Sequence, residues 1–273
     1  MKPKRIVVKV GTSTLTHNSG KINLYNFEHL VRTLSDLQGR GNEIILVSSG
    51  AIAVGVAAMG LNERPSNLRL KQATAAIGQC RIMHIYNKIF SEYNRKVAQI
   101  LLNQDDVNDK NRVENLKGTF SALLDMNVIP IVNENDSVSA AEIEDEDSKV
   151  FGDNDTLSAI VAKLCDADLL ILLSDIDGLY DSDPKTNENA KLLPKVDKLT
   201  PEIINMAGCA GTWRGTGGMM TKLSAAKIAM ESGFDMVITN GNNMNNLYKI
   251  IAGEDIGTRF TAYKKESDQL DRT

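Results

Sequence analysis

The chain has 273 residues, of which 42% are apolar and 24% charged, and a formal net charge of −4. That length can bury a core for one large α/β domain or two small ones, and so small a charge gives no overall field to draw in nucleic acid or an anionic membrane. No apolar run reaches the roughly 20 residues of a transmembrane helix. The stretch after Lys2, Lys4 and Arg5 is too short for a signal peptide, and Cys80, Cys165 and Cys209 have neither a disulfide nor a zinc spacing. These features predict a reduced, cytoplasmic protein with no nucleic-acid or membrane partner.

Residues 5–10 are rich in β-branched side chains and read as a buried strand. Phe27, Leu30, Val31, Leu34 and Leu37 recur near helical spacing, so 23–40 reads as a helix that Gly41 ends, followed by a strand at 43–48. Pro65 precedes a long helix whose apolar stripe is Ala73, Ala76, Ile77, Cys80, Met83, Tyr86, Ile89, Phe90 and Tyr93. A strand at 97–102 comes next, then a helix that turns Val113, Leu116, Phe120, Leu123 and Leu124 inward. Residues 128–132 form a further strand, in which Pro130 suggests irregularity or an edge position. Beyond an acidic stretch, 155–165 reads as a helix, 168–173 as an apolar strand and 181–198 as a long loop or hairpin. An amphipathic run at 223–232, a short strand at 236–239 and a helix at 244–252 complete the chain. Strands that alternate with helices imply a mainly parallel sheet covered on both faces. Ligands of such sheets bind beyond the carboxyl ends of the strands, so the functional loops should follow Val10, Ser48, Val132 and Leu173.

The chemistry-bearing residues gather at those ends. Lys9 lies in an apolar strand, where its charge is costly unless paired. It faces bound phosphate, with Gly11 giving close approach and Thr12 and Ser13 adding hydroxyls, or it is an exposed lysine on an edge strand; the glycine and hydroxyls favour the first. Ser48-Ser49-Gly50-Ala51 suits an anion, but taken alone it reads as helix capping by Ser49. After Val132 comes Asn133-Glu134-Asn135-Asp136-Ser137, a polar turn or a subsite in which Asp136 binds an ammonium group. Gly152-Asp153-Asn154-Asp155 opens a helix, with Asp155 as its cap or as a carboxylate that positions a lysine. Ser174-Asp175-Ile176-Asp177-Gly178 holds the Asp-Gly pair of a tight turn. Gly215-Thr216-Gly217-Gly218-Met219-Met220-Thr221-Lys222 leads into a helix; glycines, hydroxyls and a lysine at a helix mouth form a phosphate cradle, and the alternative is a flexible loop with a chance lysine. Position 220 is not glycine, so the dinucleotide fingerprint is absent, and no P-loop occurs. The charged stretch from Glu142 to Lys149 lacks the spacing of a calcium loop and reads as solvated. His17, His29 and His84 have no metal spacing and no triad context.

In this order the motifs Val8-Lys9-Val10-Gly11-Thr12-Ser13, Ser48 to Gly55, Asn133-Glu134-Asn135-Asp136, Gly152 to Asp155 and Gly215 to Lys222 resemble the amino acid kinase family, over essentially the chain from Ile6 to Phe260. The resemblance implies a three-layer αβα sandwich and transfer of the γ-phosphoryl group of ATP, with Mg²⁺, onto the side-chain carboxylate of L-glutamate, the entry to proline synthesis. It implies that Lys9 and Lys222 hold the phosphates from opposite sides and that Asp155 organises them. Gly11, Ser174, Asp175, Thr216, Gly217, Gly218, Met219, Met220 and Thr221 would line the nucleotide site with the two lysines. Ser49, Gly50, Ala51, Asn133, Asp136 and Asn154 would line the glutamate site, and the resemblance names no metal ligand. It also implies a homodimer or homotetramer and proline as a possible feedback inhibitor. Two departures stand out: residues 261–273 form only a short polar tail after a single domain at 1–260, where many relatives carry a C-terminal RNA-modification-type (PUA) domain, and the acidic stretch is longer than usual.

Overall fold

The computed structural model describes residues 4–17, 19–138, 153–184, 186–209 and 218–263. Its centre is an eight-stranded sheet of β1 (Arg5–Val10), β2 (Glu43–Ser48), β3 (Lys96–Leu102), β4 (Val128–Glu134), β5 (Leu169–Ser174), β6 (Lys195–Val196), β7 (Asp235–Asn240) and β8 (Thr258–Phe260), in the order β3-β4-β2-β1-β5-β7-β8-β6. All pairings are parallel except β7 with β8. The helices are α1 (Thr12–Leu15), α2 (Leu24–Gly39), α3 (Ala51–Ala58), α4 (Leu68–Glu92), α5 (Gln104–Asn108), α6 (Lys110–Asp125), α7 (Asn154–Leu164), α8 (Pro201–Cys209), α9 (Met219–Ser232) and α10 (Asn245–Ala252).

Two apolar cores lie on opposite faces of the sheet. Phe120, Leu124, Leu157, Val161, Ala226 and Met230 of α6, α7 and α9 fill one; Leu30, Leu34, Val54, Ile82, Tyr86 and Leu247 of α2, α3, α4 and α10 fill the other. Helices on both faces are the αβα sandwich expected. The two-residue period of a strand sorts the side chains. In β1, Ile6, Val8 and Val10 belong to the α2–α4 core and Val7 to the α7–α9 core. Lys9, two residues beyond Val7, is therefore delivered to the α7–α9 face.

The structure corrects several readings of the sequence. β4 lies between β3 and β2, so Pro130 is not at an edge. Pairing of β4 with β2 begins only at Ile131, just past the proline, so β2 makes no demand on its missing N–H. The first half of α4 does not bury the stripe expected of it: Ala73, Ala76, Ile77 and Cys80 are exposed, while Thr74, Ala75 and Gly78 are buried. Here α4 crosses α3 at a distance only glycine permits. A Cβ on Gly55 would stand 1.8 Å from the Thr74 carbonyl oxygen, and one on Gly78 would stand 1.7 Å from that of Ala51. An antiparallel bridge between Tyr180 and Leu192 agrees with the loop-or-hairpin reading of 181–198, to which the structure adds β6. α9 starts at Met219, so Met219 to Lys222 are its first turn, where the sequence reading began the helical run at 223. Gly152, Gly215, Thr216, Gly217 and the acidic stretch lie outside the described residues.

Candidate active site

The site is built where β1, β2, β4 and β5 end and where α3, α7 and α9 begin. Asp155, in the first turn of α7, is wholly buried. Its Oδ1 lies 2.6 Å from Lys9 Nζ on β1, and its Oδ2 lies 3.1 Å from Lys222 Nζ on α9. Lys9 and Lys222 are themselves 8% and 6% exposed. Thr221 lies 2.9 Å from Asp155 Oδ2 and 2.7 Å from the Gly218 carbonyl oxygen, so its one hydroxyl proton is within reach of either acceptor. Burial pushes the Asp155 carboxyl up, but Lys9, Lys222 and the Thr221 hydroxyl outweigh it, and the group is held below the usual aspartate value.

Asp155 does not cap its helix. Asp153 does, accepting from the N–H of Asp155 at 2.7 Å and of Thr156 at 2.9 Å, and burial raises its own pKa. The cap reading of Asp155 is therefore replaced: one aspartate closes the helix and leaves the other for the lysines. The Ser158 hydroxyl donates to the Asp155 carbonyl at 2.6 Å and ties down the same turn.

The readings of the surrounding motifs separate in space. Asn154 donates from Nδ2 to Ser49 Oγ at 2.7 Å, joining the β2 and α7 motifs. Gly50 holds φ at +100° at the N-cap of α3 and Ala51 begins the helix; no side chain caps it, so Ser49 does not have the capping role that its motif suggested. Asn133, at the end of β4, donates from Nδ2 to Gln79 of α4 at 2.9 Å. Asp136 is half-buried in the turn that follows β4. Ser174 bonds Asp175 at 3.2 Å beyond β5. Gly11 is the N-cap of α1, and a Cβ there would lie 3.6 Å from Lys9 Nζ. Gly218 is the N-cap of α9, with Met219 half-buried and Met220 48% exposed in the turn after it. Lys9 is buried in a central strand, so the edge-strand alternative is excluded. The sequence reading missed Gln79 and the bond from Thr221 to Asp155. Nothing in the helical pattern of α4 marks Gln79, whereas Thr221 was assigned to the nucleotide site with no sign that its hydroxyl meets Asp155.

The amino acid kinase family model matches residues 4–240, and the chain belongs to the amino acid kinase family. Its curated relatives include the glutamate 5-kinase of Clostridium perfringens, 56% identical over 263 residues that make up 96% of this chain and 97% of that one. The glutamate 5-kinase of Caldanaerobacter subterraneus subsp. tengcongensis is 52% identical over 260 residues, 95% of this chain and 68% of that one. Among solved structures the chain resembles UMP kinase from Ureaplasma parvum, with a TM-score of 0.63 at 15% identity, covering 96% of this chain and 100% of that one. It also resembles the T. acidophilum isopentenyl phosphate kinase product complex, with a TM-score of 0.58 at 19% identity, covering 94% and 99%. The likeness to these structures is one of fold.

Proposed function

We propose that this chain is a phosphotransferase with the activity of a glutamate 5-kinase, moving the γ-phosphoryl group of ATP to the side-chain carboxylate of L-glutamate to give L-glutamyl 5-phosphate, the first step of proline biosynthesis. The observation that carries this reading is the carboxylate of Asp155, which holds Lys9 from β1 and Lys222 from α9 at its two oxygens. The relatives at 50–56% identity support the acceptor.

The attacking carboxylate is ionised at neutral pH, so no general base is required. Phosphoryl transfer then rests on alignment and on fixed positive charge against the transferred oxygens. In this reading Lys9 and Lys222 supply that charge from two sides, and Asp155 keeps both ammonium groups from turning away. Gly11 lets the phosphates approach Lys9, and the start of α9, from Gly218 to Thr221, offers its N–H groups to them. Ser174 and Asp175 border the nucleotide, with Thr216 and Gly217 assigned there from the sequence. Ser49, Gly50, Ala51, Asn133 and Asn154 line the glutamate subsite, and Asp136 takes the substrate ammonium. That last role favours an acceptor with a free amino group over an acetylated one.

The residues fit Mg²⁺ brought by the triphosphate. Among the described residues no three His, Cys, Asp or Glu side chains gather to hold a metal, whereas two lysines converge where phosphates would lie. When bound, the ion neutralises charge on the β- and γ-phosphate oxygens. Among those residues, too, no helix is long and apolar enough to cross a membrane. A single domain, a cytoplasmic location, a homodimer or homotetramer, and inhibition by proline complete the proposal.

The test is ATP turnover with hydroxylamine as the trap. L-Glutamate should give a hydroxamate in an ATP-dependent manner, and N-acetylglutamate and aspartate should give little. Turnover with another acceptor and none with L-glutamate would overturn the acceptor assignment; ATP binding without turnover on any acceptor would overturn the enzyme.

A further inference from the structure

Thr221 belongs to the glycine-rich segment that opens α9, yet its half-buried side chain turns to the protein. Its hydroxyl has two acceptors within reach, the Gly218 carbonyl oxygen at 2.7 Å and Asp155 Oδ2 at 2.9 Å. The first is the ordinary back-bond of a hydroxyl to the preceding turn. The second is not local: it joins the start of α9 to the start of α7, 66 residues earlier in the chain.

The demands on Asp155 say what that contact does. The carboxylate is wholly buried, so its oxygens have to be matched by donors. Oδ1 has Lys9 at 2.6 Å, whereas Oδ2 has both Lys222 at 3.1 Å and Thr221 at 2.9 Å. Lys222 is thus the more loosely held ammonium, and it sits on the oxygen that has a second donor. In phosphoryl transfer its charge is needed at the transferred oxygens. Departure of Lys222 toward them would leave Oδ2 unmatched, which is costly in a buried site. The Thr221 proton moves from one acceptor to the other by rotation of the hydroxyl alone, so it covers Oδ2 without moving α9. The main-chain N–H groups of the same turn stay available to the phosphates.

We propose that Thr221 is a positioning residue: its hydroxyl donates to Asp155 Oδ2, releases Lys222 to the transferred phosphoryl group and keeps the carboxylate in place for Lys9. The inference rests on the phosphotransferase reading above. Thr221→Val removes the hydroxyl and keeps the branched shape, and Thr221→Ser keeps the hydroxyl. Steady-state ADP release by the full chain gives kcat and the KM for L-glutamate, and calorimetric titration gives the Kd for ATP. Thr221→Val should lower kcat at least about tenfold, the scale of one hydrogen bond to a charged group, and leave the KM for L-glutamate and the Kd for ATP unchanged. Thr221→Ser should restore kcat. Near-UV circular dichroism checks the fold; if Thr221→Val is not folded, Thr221→Ala, which puts no methyl group against the carboxylate, takes its place. Weaker ATP binding with kcat unchanged would make Thr221 a nucleotide contact instead, and a loss of kcat that serine does not restore would assign the effect to side-chain shape; either overturns the proposal. Hydroxamate formation by the wild type tests the phosphotransferase reading separately. A wild type without turnover on any acceptor would overturn both, whereas equal kcat in the wild type and Thr221→Val would overturn the role of Thr221 alone.

Discussion

The helices of this molecule begin in two ways. α2, α4, α6 and α7 start behind Asn23, Asn67, Asp109 and Asp153, each of whose side chains accepts a hydrogen bond from the first turn. α1, α3 and α9 start at Gly11, Gly50 and Gly218, with no side-chain cap. α10 has no cap of its own either, but Asn243 accepts from the Asn245 N–H. The glycine-started helices are the ones whose first turns belong to the proposed site. Capped helices satisfy their own N–H groups, and uncapped ones leave them for a ligand. α7 is the informative exception: it opens at the site but is closed by Asp153, and what it offers there is the carboxylate of Asp155.

Asp155→Asn should break this arrangement most severely. Removing one partner of a buried ion pair costs about 3–5 kcal/mol, so a large fall in melting temperature should accompany loss of turnover. Lys222→Ala should keep the fold and lower turnover at least about a hundredfold, the scale of one lost charge-stabilising donor; steady-state ADP release measures it, and unchanged turnover would remove Lys222 from the mechanism. Gly218→Asp would convert the helix proposed to face the phosphates into a capped one. No described residue lies within 4 Å of a Cβ there, so stability should rise by only a few tenths of a kcal/mol while the KM for ATP rises about tenfold. An unaltered KM would show that the α9 N-terminus does not meet the phosphates. Asp153→Ala should cost roughly 1 kcal/mol, the worth of a cap, seen in chemical denaturation.

Acid sharpens the contrast between the two aspartates of α7. Asp155, held below its unfolded value, contributes stability that is full above about pH 4 and is lost as the pH falls through its lowered pKa. Asp153, raised by burial, has the opposite sign: its proton-linked stability is present below the unfolded value and is lost as the pH rises through its raised pKa. In melting curves taken below about pH 5, Asp155→Asn should therefore flatten the acid loss of stability and Asp153→Ala should steepen it. Parallel curves for the wild type and both variants would refute the assignment.

Much of this was legible in the residues, and what was not has specific causes. A lysine two positions past Val7 in an apolar strand must share Val7's face, so Lys9 could be placed by period alone. Gly152-Asp153-Asn154-Asp155 offered two carboxylates within three residues, and only the course of the backbone decides which one caps. The α4 stripe misled because its close contact is made by Gly78 and small neighbours, which a search for bulky apolar residues passes over. β8 is three residues long, too short to show a period.

The crossing of α3 and α4 has a further consequence. Where a Cβ of Gly78 would overlap the Ala51 carbonyl oxygen, the two helices touch main chain to main chain, and no rotamer is available to take up slack. Ser49 and Gly50 directly precede that contact point, and Gln79 directly follows Gly78. The hydroxyl that meets Asn154 and the amide that meets Asn133 are thus registered against one rigid seam, so the two halves of the proposed glutamate subsite share a single mechanical reference.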